Sequence, residues 1–121
     1  MIKRLSKEAL QKILAGKTKG SASIVVKFYS NNCHYCHALK TAYEDTQKEY
    51  ENVLFFAFNI DDHPGLEKIL NFRGVPTICT IKIDGPRHRI KIMPDPEKPN
   101  SDTWYNVGAI KAFIEQTLGN R

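Results

Sequence analysis

The chain has 121 residues, of which 41% are hydrophobic and 26% charged, with a formal net charge of +5. That length and balance argue for one domain, residues 1–121, around one core, and against a disordered or fibrous chain. No apolar run nears the roughly 18 residues of a membrane span, three cysteines are too few for a disulfide-stapled scaffold, and basic residues scattered along the chain suit a solvated surface better than a nucleic-acid site.

Ile2, Leu5, Ala9 and Ile13 recur on one helical face, with Leu10 and Leu14 beside it, so a helix is expected from the start of the chain to Gly16. Lys7, Glu8, Gln11 and Lys12 interrupt it, which argues against a secretory leader and for a cytoplasmic protein. The run IVVKFY, residues 24–29, is β-branched and aromatic, as in a strand buried on both faces. NNCHYCH follows, and then HALKTAYEDTQKEY, a helix with Leu39, Ala42, Tyr43 and Tyr50 on one side. VLFFAFNI, residues 53–60, is a second buried strand, and strand–helix–strand implies a parallel pair with a right-handed crossover.

In DDHPGLEKILNF, Asp62 and Pro64 read as a helix start, and Leu66, Ile69 and Leu70 as its apolar face. TICTIKI and RHRIKIM flank Asp84-Gly85, a hairpin signal for two antiparallel strands. In the second, Ile90 and Ile92 alternate with Arg89 and Lys91, as on a sheet edge. A loop at 94–103 holds three prolines, and Val107, Ile110, Phe113, Ile114 and Leu118 mark a last helix stopped by Gly119. The order α-β-α-β-α-β-β-α predicts an α/β fold: a mixed four-stranded sheet with helices on both faces. The cysteine pair then sits at the carboxyl end of a central strand, where open α/β sheets place their sites.

Cys33, Cys36 and His37 allow three chemistries: a redox dithiol, a c-type haem attachment through C-x-x-C-H, or part of a metal site. At a helix start, residues three apart share a face about 5–6 Å apart by Cβ, close to the 3.5–4.5 Å or so that a disulfide takes. Cys33 would lie at the positive end of the helix dipole, which favours its thiolate, and Cys36 one turn in, more covered. Cys33 is then the nucleophile and Cys36 the resolving thiol. A protonated His34 would stabilise the dithiol form, whereas Tyr35 offers an apolar body and a hydroxyl. Haem would want a distal ligand, with only Met93 or His63 to suggest, and zinc a second knuckle that is missing. Cys79 shares a strand face with Ile81 and Ile83, as a buried, inert thiol would.

Three stretches resemble thioredoxin-like proteins: IVVKFYSNNCHYC, a strand followed by C-x-x-C; FNIDDHPGLEKILNFRGVPT, with NID, PG and GVPT in order; and DGPRHRIKI ahead of a terminal amphipathic helix. The resemblance implies a thioredoxin-like fold that lacks the extra N-terminal strand. It implies a cis Pro76 packed opposite the cysteines, and a substrate-binding segment of Val75, Pro76 and Thr77 in which the Val75 backbone pairs with an extended peptide. It implies a monomeric protein-disulfide reductase with no cofactor or metal beyond the Cys33–Cys36 redox disulfide, acting on disulfide-containing proteins and recharged by an electron-donating reductase. Neither nucleic acid nor membrane is expected as a partner. Glutathione-dependent or oxidase/isomerase activity is the alternative, with Arg73 as a candidate glutathione contact.

The departures fall around the pair. Asn32 stands where the family usually has tryptophan, and His34-Tyr35 where it usually has Gly-Pro. Lys27 falls at the family's buried acid, and Ala57 at that acid's lysine neighbour. Loss of the acid predicts slower release by Cys36 at neutral pH. Loop 94–103 is longer than expected and by analogy borders the substrate groove.

Overall fold

The computed structural model describes residues 2–96 and 104–119. Its strands are β1 (Lys3–Arg4), β2 (Ser21–Tyr29), β3 (Leu54–Asn59), β4 (Thr77–Asp84) and β5 (Arg87–Ile92). Its helices are α1 (Lys7–Leu14), α2 (His34–Gln47), α3 (Leu66–Leu70) and α4 (Val107–Leu118), with a turn of 3₁₀ helix at Ile60–Asp62. The sheet order is β1-β3-β2-β4-β5. β2 runs parallel to β3 and antiparallel to β4, and β5 pairs antiparallel with β4 across the Asp84–Gly85 turn. Gly85 has φ of 63°, a backbone that glycine adopts without a Cβ clash.

β2 is buried on both faces from Ile24 to Phe28, as its apolar run implies. Val25, Phe55 and Ile78 pack under Leu39, Ala42 and Tyr43 of α2 and Ile110, Phe113, Ile114 and Leu118 of α4. On the other face Ile24, Val26, Phe28, Phe58, Cys79 and Ile81 pack against Leu10 and Ile13 of α1 and Leu66 of α3. At roughly 25 cal/mol per Å² of apolar surface removed from water, these two layers are the main stabilising term.

The sheet has five strands, not the four expected from the sequence, and the N-terminal strand expected to be lacking is present. Lys3 and Arg4 pair in parallel with Phe56 and Ala57 of β3, and the Leu5 amide donates to the Ala57 carbonyl at 2.8 Å. The first helix is correspondingly shorter. Ser6 is extended and caps it, its Oγ accepting from the Ala9 amide at 3.0 Å. Ile2 and Leu5 share a helical period with Ala9 and Ile13, yet they reach the core from extended chain.

α3 also starts later than its sequence suggests. Asp62 lies in the 3₁₀ turn, which Asn59 caps through its side chain, and Gly65 at φ 89° opens α3. With five residues α3 buries Leu66 but leaves Ile69 59% exposed, so the apolar face read from the sequence is only partly used. Asn106 caps α4 by accepting from the Ala109 amide at 2.7 Å, and Gly119 at φ 86° follows its last turn. Most of loop 94–103, residues 97–103, lies outside the described residues.

Candidate active site

β2 ends at Tyr29 in the middle of the sheet, and the chain turns through Ser30, Asn31 and Asn32 into α2. Asn59, at the end of the parallel neighbour β3, donates to the Asn31 side chain at 3.1 Å and ties this turn down. Cys33 is the N-cap of α2: its backbone is extended and its Sγ accepts from the Cys36 amide at 3.0 Å. A helix N-terminus directs unpaired N–H groups and positive partial charge at such an atom, which favours a thiolate there. Cys33 and Cys36 are joined as a disulfide with Cα atoms 5.2 Å apart. Cys33 is half-buried and Cys36 is buried, the asymmetry expected of an attacking and a resolving sulfur.

The residues between and around them divide into two groups. His34 and Asn32 are exposed. Tyr35 is half-buried between two rings: His34 lies edge-on at 5.5 Å, and Trp104, just before α4, at 4.8 Å. Trp104 did not figure among the sequence candidates, because nothing local links it to a motif so far away in the chain. His37 is exposed, and among the described residues no three His, Cys, Asp or Glu side chains converge on a common point.

The Val75–Pro76 peptide is cis. Thr77 opens β4 opposite Phe28, so the sheet register brings residues 75–77 to the end of the sheet from which Cys33 emerges. Thr77 Oγ1 donates to the Gly74 carbonyl at 2.8 Å, and the Gly74 amide donates to the Glu67 carboxylate of α3. These two bonds fix the turn leading into the cis bond. Val75 is half-buried, Pro76 buried, and Arg73 exposed.

Behind the pair lies a half-open cavity of about 460 Å³, lined by Cys36, Lys27, Tyr29, His37, Lys40 and Glu44, with Ile2, Ser30 and Ala57 completing it. Lys27 faces it from the α2 side of β2, two residues after Val25. Only 8% of Lys27 is exposed, and its ammonium sits 5.2 Å from the centre of the Tyr43 ring. Burial holds the Lys27 pKa below the usual lysine value; the nearby Glu44 carboxylate pulls it up, and Lys40 presses it down. Tyr43 is fully buried, its hydroxyl 2.7 Å from the Phe56 carbonyl and 3.1 Å from that of Val25, so α2 is held to the sheet directly beneath the site. Sequence spacing carries a signal for this wall: Cys36, Lys40 and Glu44 are four residues apart and share one helical face. Cys79 is fully buried on the opposite face, and desolvation pushes its thiol pKa far up, so it stays protonated and apart from the pair.

Among known proteins, a family model described as Thioredoxin matches residues 1–95. The thioredoxin-like protein CITRX, chloroplastic, of Solanum tuberosum is 26% identical over 92 residues, covering 75% of this chain and 51% of that protein. A thioredoxin of Buchnera aphidicola is 33% identical over 61 residues, 50% of this chain and 56% of that one. This chain therefore spans about half the length of the curated relatives it matches. The solved chloroplastic thioredoxin z superposes with a TM-score of 0.66 at 21% identity, covering 98% of this chain and 96% of the other. Trichomonas vaginalis thioredoxin gives 0.64 at 20%, covering 95% and 96%. A disulfide-linked C-x-x-C at the N-terminus of α2, a five-stranded mixed sheet and a match over residues 1–95 agree with one another: the chain belongs to the thioredoxin family.

Proposed function

We propose that the protein reduces disulfides of other proteins by dithiol–disulfide exchange. The observation that carries this reading is the Cys33–Cys36 pair itself, with the more exposed cysteine at the helix N-terminus and the buried one a turn behind it. Cys33 thiolate attacks one sulfur of a substrate disulfide, and the other sulfur leaves as a thiolate that takes a proton from solvent. Cys36 then attacks Cys33 Sγ, closes the Cys33–Cys36 disulfide and expels the second substrate thiol. Two electrons pass to the substrate, and an external reductase returns them. Val75, Pro76 and Thr77 form the ledge for an extended substrate strand, and Tyr35, His34 and Asn32 border its reactive sulfur.

The direction is reduction in a reducing compartment such as the cytoplasm, and the working unit is a monomer. Among the described residues no helix is long and apolar enough to cross a membrane.

A disulfide-reduction assay on a protein substrate tests the reading. Cys33→Ser should abolish turnover, and Cys36→Ser should stop after one attack and accumulate mixed disulfides that can be isolated and identified. Equal turnover by wild type and Cys33→Ser removes the mechanism. The pair's redox potential separates a reductase from an oxidase or isomerase.

A further inference from the structure

Lys27 is a buried charge of the site that the exchange chemistry leaves without a task. A buried ammonium is unfavourable unless something compensates it. Yet no ion pair of the described residues includes Lys27, although Glu44 is near enough to act on it through space. Its sheet neighbours are the uncharged Ala57 on β3 and Ile78 on β4. The charged and titratable groups around it are Tyr43, Lys40, Glu44, His37 and Cys36 from α2, with Tyr29 on its own strand. Arg4 of β1 lies over the Tyr29 ring at 5.9 Å and toward Asp62 at 4.0 Å. Cys36 is the only group in that cavity that the reaction itself turns from neutral to negative.

We propose that the Lys27 ammonium stabilises the Cys36 thiolate across the shared cavity, so that the resolving thiol ionises near neutral pH without a buried acid to take its proton. This deepens the dithiol reading above and rests on it. In the mixed disulfide, the Cys36 thiol gives its proton to water in the cavity, which is large enough to hold several molecules. The electron pair left on Cys36 Sγ shares that cavity with the Lys27 ammonium. It then attacks Cys33 Sγ; the Cys33–substrate bond breaks, the Cys33–Cys36 bond forms, and the departing substrate thiolate is protonated by solvent. Lys27 is a charge-positioning residue here: it neither donates nor accepts the transferred proton. Release by Cys36 is therefore not the slow step that loss of the family's acid alone would predict. Glu44, the one carboxylate of the cavity, opposes the effect.

The aromatic disulfide 5,5′-dithiobis(2-nitrobenzoate) separates the two steps, because attack by Cys33 and closure by Cys36 each liberate one coloured thiolate. Lys27→Met should leave the first phase unchanged and slow the second about tenfold at pH 7, moving its midpoint up by about one pH unit. Glu44→Gln should move that midpoint down. Superimposable second-phase profiles for wild type and Lys27→Met would overturn the proposal. If Lys27→Met does not fold, Lys27→Gln, which keeps a polar head in the cavity but no charge, decides: an upward shift supports the proposal and no shift overturns it. A wild type with no first phase removes the dithiol reading, and this inference with it; a normal first phase with an indifferent second removes this inference alone.

Discussion

Lys27 costs the oxidised protein stability, since the ammonium is desolvated while Cys36 is tied up in the disulfide and carries no charge. Its folded pKa is depressed, so the unfolded chain binds the proton more tightly. The penalty is complete below the folded pKa and fades as pH rises toward the ordinary lysine value of 10.5. Lys27→Met, which keeps the stem and removes the charge, should raise the stability of the oxidised protein by on the order of 1 kcal/mol at pH 7. Thermal melts at rising pH should show the gap between variant and wild type closing. A gap that stays constant or widens with pH would mean that the charge is not its source.

At the scale of elements, what could be read from the sequence depended on how far apart the partners lie. The Cys33–Cys36 site was legible because strand, cap and helix are contiguous, and the buried run before the pair fixes the end of the sheet from which it emerges. β1 was not, because two residues have no periodicity of their own and their partners, Phe56 and Ala57, lie some fifty positions away. The local clue was Ser6, a capping residue set inside an apparent helical repeat. Trp104 escaped for the same reason as β1, since only the packing of the segment before α4 against α2 brings it to Tyr35. As the only tryptophan of the chain, it should report on the pair. Reduction of Cys33–Cys36 should change its emission, and Tyr35→Ala should diminish the change; a spectrum indifferent to reduction would show that the ring contact does not sense the sulfurs.

Across the whole molecule, the two apolar layers meet on β2, which is hydrogen-bonded on both sides by β3 and β4. Lys27 belongs to that strand, and Cys33 is carried on the helix that follows its end. The cis Val75–Pro76 segment leads directly into the strand's other neighbour, β4. A slip of one residue in β2 would turn Lys27 to the α1 side and leave Cys36 facing an apolar wall, so register and charge placement are one constraint.

The central position of β2 also ranks the parts of the protein by how often they open. β1, with two paired residues, and β5, with one free edge, can fray at small local free energies, whereas the amides of β2 exchange only when the sheet as a whole comes apart. Native-state hydrogen exchange should accordingly find the slowest amides in residues 24–28 and fast ones at residues 3–5; comparable rates in the two segments would refute this ranking. On this ranking Lys27 lies in the strand that opens last and the disulfide follows its end, while local opening belongs to the margins of the sheet.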